Sequence, residues 1–313
     1  MKPKKILITG ASGFLGGHLV PICEDKGYRV LKPRSRFFNL FSSNDCLSYM
    51  NRYKPEVIIH LAAYYGGINI NVQEPADIFD RNTLMTTNLY SAAAKAKSVR
   101  KVVQIGSACS YPAGITGQMK EEDYWSGALH PSVESYGFSK KIQLVAQNAY
   151  YKQYGLEGNH LNLTNLYGEG DVFTEYRSHA VPAIIKRFSD EINNKEIVNW
   201  GDGTPIREFI YVKDAAEAIS MFIDKDHDLN PVNIGTGVGT SIKELAETTA
   251  QLMNYKGELK WDTSKPNGVP VKVLDVSRMK KELPNFKPRS FKEGLQHTID
   301  WYLANKELAD SRK

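Results

Sequence analysis

The segment Gly10-Ala-Ser-Gly13-Phe-Leu-Gly16 restricts this chain more than any other stretch. It follows an apolar run, Lys5-Ile-Leu-Ile-Thr9, bounded by glycine, which reads as a buried parallel strand. It opens a stretch with helical spacing that should run to about Lys26 and stop at Gly27. Between a strand and a helix, glycines at this spacing permit a sharp turn. They also let the backbone come close to a pyrophosphate and let the helix pack against the sheet. The first helical amides then face the anion. Such a unit belongs in α/β chains that bind dinucleotides at the carboxyl ends of their strands.

The next 130 residues keep that rhythm. Strands are expected at Tyr28–Leu31, Glu56–Leu61 and Lys101–Ile105, with helices at Ser42–Arg52, Pro75–Lys97 and Tyr136–Tyr154. Strand–helix alternation at this pitch predicts an α/β fold with a doubly wound parallel sheet of Rossmann type. From Asn165 onward the pattern loosens. Helices are expected around Val181–Asp190, Asp214–Phe222, Ser241–Met253 and Phe291–Asn305, with short strands near Ile197–Trp200 and Glu208–Val212. Their joints, such as Gly201-Asp-Gly-Thr-Pro205 and Lys265-Pro-Asn-Gly268, are rich in Gly and Pro. Residues 1–164 are therefore expected to form the dinucleotide-binding domain and to carry the chemistry. Residues 165–313 should form a smaller mixed lobe over the substrate, with some segments returning to the sheet.

Composition excludes several other classes. The 313 residues are 42% hydrophobic, enough for a large core, but no run approaches membrane-spanning length. The opening Met1-Lys-Pro-Lys-Lys5 is followed by too short an apolar stretch for a signal peptide. The net charge of +5 is scattered, with no basic stripe for nucleic acid. The three cysteines, Cys23, Cys46 and Cys109, match no zinc spacing and cannot all pair, so no metal is expected and a reducing cytoplasm is the simplest home.

Two further islands complete a reaction. Ser107 follows the fourth strand at its carboxyl end, and Tyr136 and Lys140 are four apart, on one face of a helix. Lys140 beside the phenol is expected to lower the tyrosine pKa so that Tyr136 exchanges a proton with a substrate oxygen, which Ser107 would hold. About 20 residues after the glycine turn, where an acid would grip a ribose hydroxyl, there is none; Lys32, Arg34 and Arg36 stand there instead. Arginines in that place suit a 2′-phosphate, so NADP(H) is the expected cofactor. His60, in the apolar third strand, reads as core.

With these residues in view, the chain resembles the extended short-chain dehydrogenase/reductase superfamily. Within it the chain is similar to the GDP-L-fucose synthase family, NADPH-dependent enzymes that epimerise and reduce GDP-4-keto-6-deoxymannose. The likeness rests on Tyr65-Gly-Gly-Ile68, Glu74-Pro-Ala-Asp77, Gly106-Ser-Ala-Cys-Ser-Tyr-Pro112, Thr164-Asn-Leu-Tyr-Gly168, Ser178-His-Ala-Val-Pro182, Trp200-Gly-Asp-Gly-Thr-Pro-Ile-Arg-Glu-Phe209 and Leu274-Asp-Val-Ser-Arg278. It implies that Ser107, Tyr136 and Lys140 form the reductive triad, and that Cys109 and His179 exchange protons at C3 and C5. It implies cofactor contacts at Gly10, Ser12, Gly13, Phe14, Leu15 and Gly16, at Arg34, Arg36, Asn39 and Leu40, and at Leu61, Ala62 and Ala63. Lys140, Leu163, Asn165, Leu166 and His179 complete that set. For the GDP-linked sugar it implies Ser107, Cys109, Asn165, Arg187, Trp200, Arg207 and Asn267, and for the assembly a homodimer through a four-helix bundle. The chain departs from the family at Tyr64-Tyr65, Ala108, Leu163, Glu169 and Asn267, positions that line the sugar and nucleotide pockets.

The expectation is therefore NADPH-dependent reduction of the C4 ketone of a GDP-4-keto sugar, a 6-deoxyhexose or a heptose, coupled to C3/C5 epimerisation. Reduction alone, after a separate epimerase, is one alternative. An NAD-dependent 4-epimerase or 4,6-dehydratase is a second, opposed by the basic run at 32–36. A non-catalytic NADP-binding regulator is a third, opposed by the intact Ser107/Tyr136/Lys140 set.

Overall fold

The computed structural model describes residues 4–174, 177–265 and 267–311. Met1–Pro3, ahead of the first strand, and Pro266, in the joint after Lys265, lie outside the described residues. The first half runs β1 (Lys5–Thr9), α1 (Phe14–Asp25), β2 (Arg29–Leu31), α2 (Ser43–Tyr53), β3 (Val57–His60), α3 (Ile68–Gln73), α4 (Pro75–Lys95), β4 (Lys101–Ser107), α5 (Glu134–Tyr154) and β5 (Glu157–Leu163). Local signals set the ends. The Ser42 hydroxyl accepts from the Asp45 amide at 3.2 Å and starts α2, and Gly155, at φ +67°, stops α5 in the left-handed region.

The second half runs β6 (Asn165–Tyr167), α6 (Ala180–Asp190), β7 (Glu196–Trp200), β8 (Ile206–Tyr211), α7 (Val212–Met221), β9 (Val232–Ile234), β10 (Gly239–Ser241), α8 (Ile242–Leu252), β11 (Glu258–Asp262), β12 (Val271–Lys272), α9 (Ser277–Glu282), α10 (Phe291–Ala304) and α11 (Lys306–Ser311). β9 pairs in parallel with β5, so part of this half returns to the main sheet.

That sheet has six strands in the order β2-β1-β3-β4-β5-β9, all parallel. Its order reverses between β1 and β3, so the crevice above their carboxyl ends is the place for a ligand. Helices α1 and α7 cover one face, burying Leu19, Cys23, Ala215 and Ile219; α2 and α4 cover the other with Met50, Leu89 and Tyr90. The second half has its own core around Phe173, Ile185, Phe188, Leu295 and Tyr302. There β8 is flanked by β10 and β12 and β7 pairs with β11, in small sheets apart from the large one.

Strand β5 was missed by periodicity because it carries Asn159, His160 and Asn162, all buried. One polar atom of each finds a partner: Asn159 Nδ2 donates to the Asp226 carbonyl at 3.0 Å, His160 Nε2 bonds the Tyr124 hydroxyl at 3.3 Å, and Asn162 Nδ2 donates to the Tyr111 hydroxyl at 3.4 Å. Partnered polar groups are tolerated in a core that sequence pattern would deny them. Among the described residues no helix is long and apolar enough to cross a membrane.

Candidate active site

The glycine turn forms a cradle of backbone. Gly10 has φ +68°, and a side chain there would put its Cβ 2.8 Å from the Ala62 amide nitrogen at the end of β3. Gly16 lies beneath the turn, where a Cβ would meet the Gly10 carbonyl oxygen at 2.3 Å. Gly13 closes the turn by donating to the Gly10 oxygen at 3.0 Å and precedes α1 without a side-chain cap. The first amides of α1 therefore point into the crevice with no carboxylate in the first turn to compete, which fits a pyrophosphate. Ser12 is exposed on the turn, Phe14 meets His18 edge-on, and Leu15 packs against the core. Leu61 and Ala62 form the facing wall, and Ala63 is exposed beside them.

The basic run beyond β2 divides. Lys32 is paired with Glu24 at 2.8 Å, whereas Arg34 and Arg36 are exposed and form no ion pair among the described residues; the Arg36 guanidinium lies 4.6 Å from the Phe37 ring centre. The two arginines are the available cations. Asn39 is exposed, its amide oxygen accepting from the Phe41 amide at 3.0 Å, and Leu40 is buried.

Ser107 ends β4, and Tyr136 and Lys140 stand on α5, which Lys140 ties to that strand. Tyr136 and Lys140 share a face of α5, with the Lys140 ammonium 5.5 Å from the Tyr136 ring centre. Lys140 is 2% exposed and donates to the Ile105 carbonyl at 2.8 Å. Burial pushes its pKa down to about 7. Tyr136 differs from expectation: burial, reinforced by Tyr65 and Cys109, holds its pKa well above the ordinary phenol range. Desolvation outweighs the nearby ammonium, whose hydrogen bond goes to the backbone, and the phenol is kept as a proton donor. Ser107 accepts from the Cys109 amide at 3.1 Å and so starts the 3₁₀ turn Ala108–Ser110.

Cys109 and His179 border the same space, with Tyr65 as their neighbour. The Tyr65 ring stacks on Tyr136 at 5.6 Å and on His179 at 5.4 Å, and its hydroxyl is hydrogen-bonded to His179 Nε2. Burial lowers the His179 pKa, favouring neutral imidazole. At Cys109 burial works against ionisation, but the Lys272 ammonium and the Ser107 hydroxyl outweigh it and hold the thiol below its usual range. Sequence reasoning missed Lys272, whose only signal is its place two residues before the Leu274–Arg278 island. His60 is core, bonded through Nδ1 to the Thr9 hydroxyl at 2.8 Å and pushed down to about 3 by burial.

The remaining residues of the expected cofactor set, Leu163, Asn165 and Leu166, lie at and beyond the end of β5, and those expected for the sugar nucleotide lie mainly in the second half. Leu163 is buried at the end of β5, and Leu166 packs against the core. Asn165 donates to the Glu208 carbonyl at 2.8 Å. Arg207 donates to the Val269 carbonyl at 2.7 Å, and Arg187 reaches the Val198 carbonyl at 3.3 Å. Trp200 is 64% exposed, with the Lys265 ammonium 5.9 Å from its ring centre. Asn267 accepts from the Asp202 amide at 2.9 Å. Also missed was Glu208, a buried carboxylate that accepts from the Thr236, Gly237 and Leu274 amides at 2.6, 2.8 and 2.7 Å and ties three segments to β8.

A glycine cradle at the β1/β3 switch point, with Ser, Tyr and Lys above β4, is the arrangement of an extended short-chain dehydrogenase/reductase. Residues 6–235 match the model of the NAD dependent epimerase/dehydratase family, to which the chain belongs. The chain is 35% identical to GDP-L-fucose synthase 1 of Arabidopsis thaliana, over 97% of this chain and 94% of that one. It is 34% identical to GDP-L-fucose synthase of Escherichia coli strain K12, over 98% and 99%. The structure of a GDP-L-fucose synthetase from Naegleria fowleri bound to NADP aligns with a TM-score of 0.90 at 25% identity, covering 99% of this chain and 96% of that one.

Proposed function

We propose that this chain uses NADPH to reduce the C4 ketone of a GDP-linked 4-keto sugar, a 6-deoxyhexose or a heptose, and exchanges protons at C3 and C5 beforehand. The observation that carries the reading is a run of contacts among these residues: Lys140 beside the Tyr136 ring, Tyr65 stacked between Tyr136 and His179, and Ser107 bonded to the Cys109 amide. Bound NADPH supplies the hydride. Arg34 and Arg36 are the groups to hold its 2′-phosphate, and the uncapped start of α1 its pyrophosphate. Tyr136, kept protonated by burial, gives its proton to the C4 oxygen, and Ser107 orients that oxygen. The same two hydroxyls stabilise the enolate formed when a proton leaves C3 or C5. Cys109 is the base: its thiolate takes the proton and the C–H bonding pair passes into the enolate; protonated His179 then gives a proton to the same carbon from the opposite face and becomes neutral, the state that burial favours.

A second reading, reduction alone, is favoured by Tyr65, whose hydroxyl occupies the His179 Nε2 that proton exchange needs. NMR in D₂O with GDP-4-keto-6-deoxymannose and no NADPH separates the two. Deuterium at C3 and C5 is expected, strongly suppressed in Cys109→Ser. No incorporation, together with NADPH-dependent reduction of an epimerised substrate, leaves the reductase alone.

The assembly proposed is a homodimer through α4 and α5, which pack side by side and expose Phe79, Leu84, Phe138 and Val145. Apolar side chains on adjacent helices suit a four-helix bundle between two copies.

A further inference from the structure

The lobe delivers a cation to the base. Lys272 Nζ lies 3.2 Å from Cys109 Sγ, and among the described residues it forms no ion pair with a carboxylate. We propose that Lys272 is a positioning residue that keeps Cys109 as the thiolate needed for proton exchange, an inference that rests on the epimerase reading above.

The backbone around Lys272 is fixed on both edges. On one edge β12 pairs with β8 in the register Lys272↔Arg207, and Leu274 donates to the buried Glu208 carboxylate at 2.7 Å. On the other edge Met119 donates to the Val273 carbonyl at 2.8 Å and accepts from Asp275 at 2.9 Å. Met119 belongs to the same β4–α5 connection that carries Cys109, so the cation and the sulfur are held by one hydrogen-bonded frame. The other titratable groups near the thiol are Tyr65 from the β3–α3 loop, His179 bonded to Tyr65 ahead of α6, Tyr136 and beyond its ring Lys140 from α5, and His130, which lines the same small cavity with Cys109 and Lys272. Both tyrosines are held above their ordinary range and stay neutral near pH 7, and His130 Nδ1 is engaged by the Ser132 hydroxyl at 2.8 Å. Lys272 is thus the cation in direct contact with the sulfur, whereas the Lys140 ammonium is turned to the Ile105 carbonyl. A cysteine beside a lysine ionises more readily than a free thiol. Cys23 and Cys46, buried away from this lysine, are pushed up to about 11 and about 12.

The test is the pH dependence of iodoacetamide alkylation, read at Cys109 by peptide mass spectrometry in the full chain without substrate. Cys23 and Cys46 serve as slow internal references. Wild type should show a midpoint below the free-thiol value of about 8.5. Lys272→Gln should raise it by about one pH unit, making alkylation roughly tenfold slower at pH 6.5, while Lys272→Arg should keep it low. NADPH binding by each variant reports that it is folded. If Lys272→Gln fails to bind NADPH, the wild-type and Lys272→Arg midpoints decide. An ordinary thiol midpoint in wild type, or one unmoved in folded Lys272→Gln, overturns the proposal. Failure of deuterium exchange in wild type would count against the epimerase reading, and the alkylation profile is read independently of it.

Discussion

At the carboxyl end of β1 the surface offered to a ligand is main chain. The Gly10 turn and the first amides of α1 form it, with Ala62 facing the turn, and side chains matter by their absence. Across the crevice, on β7, β8 and β12, it is long side chains: Trp200, Arg207 and Lys272, standing on strands of two to six residues. The first surface can recognise what every dinucleotide has in common. The second can be altered one residue at a time without disturbing the large sheet, which suits a site that must tell one sugar nucleotide from another. Tyr136 and Lys140 stand between them on α5, anchored to the sheet through Ile105.

The largest effect should come from the shared middle. Tyr136→Phe keeps the ring that stacks on Tyr65 but removes the proton donor. The rate of ketone reduction should fall by about 10²–10⁴-fold with NADPH affinity nearly unchanged, measured by absorbance at 340 nm and cofactor titration. An unchanged kcat would remove Tyr136 from the chemistry.

Gly16→Ala tests the main-chain surface. Its Cβ would stand 2.3 Å from the Gly10 oxygen, which is backbone and cannot step aside alone. Overpacking of about 1–3 kcal/mol should weaken NADPH and NADH alike by roughly ten- to a hundredfold. Selective loss of only one cofactor would break the contrast drawn above. Arg36→Ala should do what Gly16→Ala does not, lowering kcat/KM with NADPH by about tenfold and sparing NADH, because one charge-assisted contact is lost. Equal efficiency of wild type with both cofactors would sink the assignment of the arginine pair.

Burial of Lys140 also predicts a pH dependence of stability. The pKa of Lys140 is held near 7 in the folded chain, against 10.5 ordinarily, by burial. Between those values the unfolded chain holds a proton that the folded chain has shed, so the contribution to stability rises with pH from about 7 to 10.5 and is lost as pH falls toward 7. In thermal melts, wild type should gain on Lys140→Met across that window, and the gap should level off below it. A flat difference would mean that the ammonium is not desolvated.

The sheet was legible because its strands β1, β3 and β4 are continuous apolar runs between glycine or helix signals. Strand β5 was not, since Asn159, His160 and Asn162 become acceptable only through Asp226, Tyr124 and Tyr111, far away in sequence. Ser107, Tyr136 and Lys140 could be picked out because the carboxyl end of a strand and a four-residue helical interval are local facts. Tyr65 was noticed as the start of one family-like island and as part of a departure, but its stacking on both Tyr136 and His179 depends on loops that no periodicity describes.

By itself the amino-acid order determined the cradle, the parallel alternation and the Tyr–Lys interval, since each depends on backbone geometry and neighbours within a few residues. The ionisation of the site was decided by tertiary structure alone. Burial raised Tyr136 against the pull expected from Lys140, and Lys272, 163 positions from Cys109, lowered the thiol. Desolvation and Coulomb attraction follow distance in space, and that distance exists only once β12 has paired with β8.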